Sequence, residues 1–191
     1  MKETSQRILD AAIRVFGRDG VSGATTREIA RVAEVNEVTL FRYFKNKNEL
    51  LRQVVLQSAK RYEQVFADAS LETVDDLRRT VWSYAETYAQ KLRDNEDLVR
   101  TFMGEMKRHL KLCRRLFVES AKPVREKFIA YLEAAQKAHL VRKDLDPTIA
   151  ADALTGMLMG GALRRPLTES AYSSRRYVET CVELFLKGIE R

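Results

Sequence analysis

Cysteine is nearly missing from this chain. Cys113 and Cys181 are the only two among 191 residues, and neither stands in a C-x-x-C or Cys/His cluster. No disulfide framework or zinc finger is expected, and both thiols should pack as small apolar side chains. The 3 prolines and 8 glycines are too few for collagen-like or linker-rich architecture. His109 and His139 are the only histidines and lack partners at metal-ligand spacing, so no metal is expected. The longest uncharged run, Ala153 to Leu163, falls far short of the roughly 20 apolar residues of a membrane span. Met1 to Ser5 has no apolar signal core, which leaves a cytoplasmic protein as the expectation. No Walker loop, G-x-S-x-G or H-E-x-x-H occurs, so neither catalysis nor a cofactor is expected.

What remains is a helical, charged chain, 45% hydrophobic and 32% Asp, Glu, Lys and Arg. Ile8, Leu9, Ala12 and Phe16 share one helical face, and Gly17 and Gly20 bracket that helix's end. Thr25-x-x-Glu28 has capping-box spacing for a helix over 26–33. Glu34-Val35-Asn36 is a turn, with Asn36 the N-cap of a third helix through Phe44. Asn46-x-x-Glu49 opens a long helix over about 47–69, striped by Leu51, Val55, Tyr62 and Phe66. Further helices follow the spacing of Val74, Leu77, Val81 and Tyr88; of Leu98, Phe102, Met106 and Leu110; and of Phe128, Leu132, Ala135 and His139. Asp146-Pro147 starts a helix that Arg165-Pro166 helps to stop, and Val178, Val182, Phe185 and Ile189 mark the last. The pattern predicts an all-α fold of about nine helices.

The formal charge of +7 is uneven: residues 1–61 hold 12 Lys/Arg against 7 Asp/Glu, the rest 22 against 20. A basic excess around two short helices joined by a tight turn points to a phosphate-backbone partner. In the third helix Leu40, Phe41 and Phe44 are expected to face inward, and Val38, Thr39, Arg42 and Tyr43 outward. A second helix packed across a first, with one polar face free, is the arrangement that enters a major groove.

The segments I-L-x-A-A-x-x-V-F, T-T-R-E-I-A and V-N-E-V-T-L-F-R-Y-F-K-N-K-N-E-L-L, all within residues 5–55, resemble the N-terminal domain of the TetR family of transcriptional regulators. The resemblance implies a three-helix DNA-binding domain over 1–46. A larger C-terminal effector-binding and dimerisation domain follows over 47–191, linked by the long helix at about 47–69. It also places Thr26, Arg27, Glu37, Val38, Thr39, Phe41, Arg42, Tyr43 and Lys47 at DNA-contacting positions, so that Phe41 belongs to both accounts and is at least half core. Chemistry then suggests roles. Arg42 suits two acceptors on guanine, Tyr43 and Thr39 suit phosphates, and the Thr39 methyl also suits thymine. Lys47, at a helix start, suits a phosphate. Arg27 suits backbone or base, and Glu37 must accept from cytosine or hold Arg42. Glu34 stands where the family often has glycine, which predicts a different turn conformation.

The resemblance further implies a ligand-responsive regulator, a repressor, that binds a palindromic double-stranded operator as a homodimer and is released by a small-molecule effector. Trp82, Tyr84, Tyr88, Phe102, Met103, Met106, Phe117, Phe128 and Tyr131 form aromatic and methionine stripes, which serve either as core or as the wall of an effector cavity. The last two long helices, with Gly156, Gly160, Val178, Val182 and Phe185, are the expected dimer surface; tight packing within one subunit is the alternative reading of Gly156-x-x-x-Gly160-Gly161. A helical ligand-binding or catalytic protein with a vestigial helix-turn-helix is the rival from another class.

Overall fold

The computed structural model describes residues 2–68, 76–107, 109–164 and 173–190, without the side chains of Lys2, 59–68 and Glu105. Val74, the Tyr62 and Phe66 side chains, and the expected stop at Arg165-Pro166 lie outside that description. Ten helices fill the described residues: α1 (Lys2–Gly23), α2 (Thr26–Val32), α3 (Glu37–Tyr43), α4 (Lys47–Asp68), α5 (Leu77–Asp94), α6 (Glu96–Glu105), α7 (Leu110–Ser120), α8 (Lys122–Lys137), α9 (Pro147–Arg164) and α10 (Ser174–Ile189). No strand occurs among them, and Val141 and Glu190 form one isolated bridge. The count exceeds the expected nine because the 98–117 pattern is two helices. The apolar spacing runs on through Met106 and Leu110 while the backbone turns between them.

The residues group into two compact units. The first comprises 1–60 with 95–121, so α6 and α7 join α1, α2, α3 and the start of α4. Its core unites Ile8, Val15 and Phe16 of α1, Ile29 of α2, Leu40 of α3, Leu50 and Val54 of α4, Leu98 of α6 and Leu116 of α7. These compact units do not follow a single cut at 46/47.

Helix α1 runs through Gly17, which sequence spacing assigned to its end, and is interrupted at Gly20, whose φ is 71°. Gly17 has another reason to be small: a Cβ there would lie 2.8 Å from Asp97 Cβ of α6. Thr101 Oγ1 donates to the Phe16 carbonyl at 3.0 Å in the same contact.

The second unit, 61–94 with 122–191, packs α5, α8, α9 and α10. Tyr84 of α5 stacks on Phe128 of α8, centroids 3.8 Å apart and planes 9° from parallel. The cap at Asp146 forms where the sequence placed it, and a further cap, with no counterpart among the sequence signals, forms at Ser173. Asp146 Oδ1 accepts from the Thr148 and Ile149 amides at 2.7 and 3.2 Å, and Ser173 Oγ from Arg176 at 3.2 Å. Helix α8 ends at Lys137, short of His139, which instead takes a left-handed conformation (φ 62°) just past the helix. The Leu140 and His139 amides close back on Ala135 and Gln136 there.

Candidate nucleic-acid interface

Helices α2 and α3 are seven residues each and depend on neighbours for stability. Thr25 Oγ1 accepts from the Glu28 amide at 3.1 Å, which is half of a capping box. The reciprocal half is not made. Arg31 donates to both Glu28 carboxylate oxygens at 2.8 and 2.9 Å, and Arg18 to one of them at 3.1 Å. Hydrogen bonds from Arg31 and then Arg18 hold the Glu28 carboxyl down at about 2. This exposed network joins the end of α1 to α2.

The turn after α2 closes in a Schellman pattern, Val35 N–H to the Ala30 carbonyl at 3.0 Å and Glu34 N–H to Arg31 at 3.1 Å. Glu34 sits in it at φ 54°, in the left-handed region. The expectation of a different turn is therefore corrected: glutamate adopts the conformation that suits glycine. Arg7 of α1 supports it, donating to the Ala33 carbonyl at 2.8 Å and to Glu34 Oε2 at 3.3 Å. A left-handed residue with a side chain costs about 1–2 kcal/mol, and glycine's extra unfolded-state freedom offsets only part of the relief. Glu34→Gly is expected to raise stability by about 0.5–1 kcal/mol, read as a higher urea midpoint at unchanged slope. A lower midpoint would show that the Arg7 ion pair outweighs the strain.

Helix α3 starts at the Asn36 cap, whose Oδ1 accepts from the Val38 amide at 2.9 Å. Leu40 and Phe44 face the core as expected. Two neighbours depart from expectation. Phe41 is 47% exposed and faces outward, and Tyr43 packs partly against the core, its ring 6.4 Å from that of Phe44. With 100° per residue, Val38 (69% exposed) and Arg42 take the centre of the free face, flanked by Phe41 and Thr39. Arg27 on α2 is also exposed.

Three expected contact residues hold the unit together. Thr26 Oγ1 donates to Glu37 Oε1 at 2.6 Å, tying the first turn of α2 to that of α3. Glu37 is thus engaged by Thr26, where expectation had it on Arg42 or a cytosine. Lys47 Nζ donates to the Val21 and Ala24 carbonyls at 2.7 and 2.9 Å. Two of its three donors clamp the start of α4 to the last turn of α1 and to Ala24 just after it, which leaves one donor for a phosphate. No sequence pattern could have shown these bonds or the Arg7 seal, whose partners lie 11–26 residues apart.

The residues expected around an effector fall into both units. Tyr84, Phe128 and Tyr131 are buried core of the second unit, with Tyr88 stacked 6.2 Å from Tyr84, and burial pushes the Tyr88 phenol up to about 12. Trp82 lines an open groove of about 430 Å³ with Arg79, Glu179 and Val182. Phe102 belongs to the first unit, beside a 10 Å³ apolar cavity shared with Leu51, Leu112 and Cys113. Met103, Leu110 and Phe117 are exposed.

The expected dimer residues also separate. Val178, Val182 and Phe185 are already buried within the single chain, so their assignment to an interface is corrected. Gly161 serves the subunit's own packing, against Tyr177. Gly156 has open space where a Cβ would be, and Gly160 meets only the end of Arg164, at 3.8 Å.

Comparison with known proteins accords with this geometry. Residues 8–54 match the family model described as bacterial regulatory proteins, tetR family, and residues 75–188 match that of the AefR-like transcriptional repressor C-terminal domain. The uncharacterized HTH-type transcriptional regulator YvkB of Bacillus subtilis is 24% identical across 99% of this chain and 98% of its own length. The HTH-type transcriptional repressor DhaR of Mycobacterium sp. strain GP1 is 22% identical across 97% and 93%. The crystal structure of the regulator FadR from Bacillus subtilis, in complex with stearoyl-CoA, has the same fold. It gives a TM-score of 0.81 at 20% identity and covers 97% of this chain and 99% of that one. No helix among the described residues is long and apolar enough to cross a membrane. With a helix-turn-helix at one end and the matching helical domain over the remainder, the chain belongs to the TetR family of DNA-binding transcriptional regulators.

Proposed function

We propose that this chain is a homodimeric repressor that occupies a palindromic operator and leaves it when its C-terminal domain takes up a small-molecule effector. The observation that carries the reading is the free face of α3: Val38 and Arg42 at its centre, on a helix braced by Glu37, Lys47 and Arg7. Arg42 reads guanine, while Arg27 and Thr39 reach phosphate or base edges. Tyr43 and the third Lys47 donor reach the backbone.

One such unit makes few contacts, and two copies reach successive major grooves about 34–36 Å apart. The dimer surface is the outer face of α9 and α10. Ile149, Ala153, Gly156 and Gly160 recur at helical spacing on one helix, and Thr180, Leu184 and Gly188 on the other, with Ile149 66% and Leu184 61% exposed. Small residues between two large apolar ones let backbones approach closely. Function thus divides the chain into a DNA-reading part at 1–46 and an effector and dimerisation part at 47–191, acting in the cytoplasm. Effector and DNA compete through one coupling free energy, so each must weaken the other's binding equally.

The test is selection of a duplex from a random library by the full chain, followed by binding titrations at several salt concentrations. A palindrome with steep salt dependence is expected. A vestigial helix-turn-helix would enrich no sequence and show no salt-sensitive specific binding.

A further inference from the structure

One groove of the second unit carries charges of both signs that do not meet. Helix α5 gives it Arg78, Arg79 and Trp82, and α10 gives it Glu179, Val182 and Glu183, around a volume of about 430 Å³. That size lies within the range of small-ligand sites. Asp76 also lines it but is engaged, since its carboxylate accepts from the Arg79 amide at 2.8 Å and caps α5. Among the described residues Arg78, Arg79 and Glu183 enter no ion pair, and Glu179 pairs with Arg175 of its own helix at 3.0 Å.

Helical spacing sorts these charges by wall. Arg78 and Trp82 are one turn apart on α5, and Glu179 and Glu183 are one turn apart on α10. The basic wall and the acidic wall therefore belong to different helices. Bridging the groove would gain an exposed pair only about 0–1 kcal/mol, so little is lost by keeping the two walls apart. The groove thus presents guanidinium on one side and carboxylate on the other, over the apolar surface of Trp82 and Val182.

Charge decides the occupant. A simple anion would be drawn to Arg78 and Arg79 and repelled by Glu179 and Glu183, and a simple cation would meet the reverse. A molecule that carries both charges satisfies both walls. The indole of Trp82 attracts a cationic group, and a guanidinium takes a carboxylate through paired N–H donors. We infer that this groove binds a small zwitterion, its cationic end held by Trp82, Glu179 and Glu183 and its carboxylate by Arg78 and Arg79. The inference goes beyond the function proposed above and does not rest on it.

Trp82 is the only tryptophan of the chain, so its emission reports on the groove directly. Glycine betaine serves as the zwitterionic probe, and choline and acetate as probes of each charge alone. Each is titrated against the full chain at constant ionic strength. Betaine should shift the emission saturably and bind about tenfold more tightly than either single-charge probe, the size of one charge-assisted contact. Glu183→Gln should weaken betaine and choline by about tenfold and leave acetate unchanged or tighter. Arg79→Gln should weaken betaine and acetate and spare choline. Both residues are exposed, so each variant should keep the parent's helical melt. A response to betaine that never saturates, or that choline and acetate match, would overturn the inference. So would a betaine affinity that survives both substitutions.

Discussion

Gly161→Ala is expected to destabilise the protein by about 3 kcal/mol, the upper part of the range for overpacking. A Cβ at this position would sit 2.2 Å from Tyr177 Cε1, 2.6 Å from Cζ and 2.7 Å from Cδ1, which places it inside the ring's own volume. The ring is not free to swing away. Its hydroxyl donates to the Met157 carbonyl at 2.8 Å, and Arg164 reaches the same oxygen at 3.5 Å. Relief would require breaking that bond or separating α9 from α10, which pack against each other. At roughly 2–4 °C per kcal/mol for a chain of this size, Tm should fall by about 6–12 °C at fixed protein concentration. Tyr177→Ala should then be partly compensatory in the Gly161→Ala background, since the two changes act on one contact. A melt within a degree of the parent, or strictly additive effects, would show that the helices part more easily than the geometry implies.

Arg42→Ala is expected to weaken operator binding at least about thirtyfold. A bidentate arginine–guanine contact is worth about 1–3 kcal/mol of discrimination, a dimer makes it twice, and each 1.4 kcal/mol is tenfold. Arg42 is exposed at the centre of the α3 face and takes no part in the Leu40–Phe44 packing, so the variant should fold normally. Reselection with the variant should show the preference for guanine relaxed at one position per half-site. Arg42→Lys separates charge from geometry, because an ammonium is a point charge without the guanidinium fork. It should keep the parent's salt slope and lose the guanine preference. Unchanged affinity together with unchanged preference in Arg42→Ala would remove this residue from base reading altogether.

The sequence was most legible where local chemistry decides. Caps at Thr25, Asn36, Asn46 and Asp146 form as bonds from side chain to the second or third amide onward, and each is visible within four letters. Periodicity placed Leu40 and Phe44 inward correctly and misjudged Phe41, because at seven residues α3 buries a narrow stripe that a hydrophobic letter need not join. The glycine pattern was ambiguous for the same reason. Gly17 and Gly161 are small to admit Asp97 and Tyr177, contacts 16 or more residues away, and only Gly20 has a left-handed backbone. Glu34 shows the converse, a left-handed position without glycine. The division of the aromatic stripe between two units was likewise hidden, since helical spacing states which residues share a face and not which neighbour that face meets.

The place of α6 and α7 bears on how this reader of DNA can be cut or transplanted. A fragment ending at residue 46, or even at 60, would keep every exposed residue of α3 and lose Leu98, Leu116, the Asp97 packing on Gly17 and the Thr101 bond to Phe16. Arg52 would lose Glu119, its partner at 2.6 Å. Such a graft would carry the specificity letters on a core with one wall removed. A chimera that exchanges operator preference between relatives should therefore swap the α3 face alone, or move residues 95–121 together with the first 60.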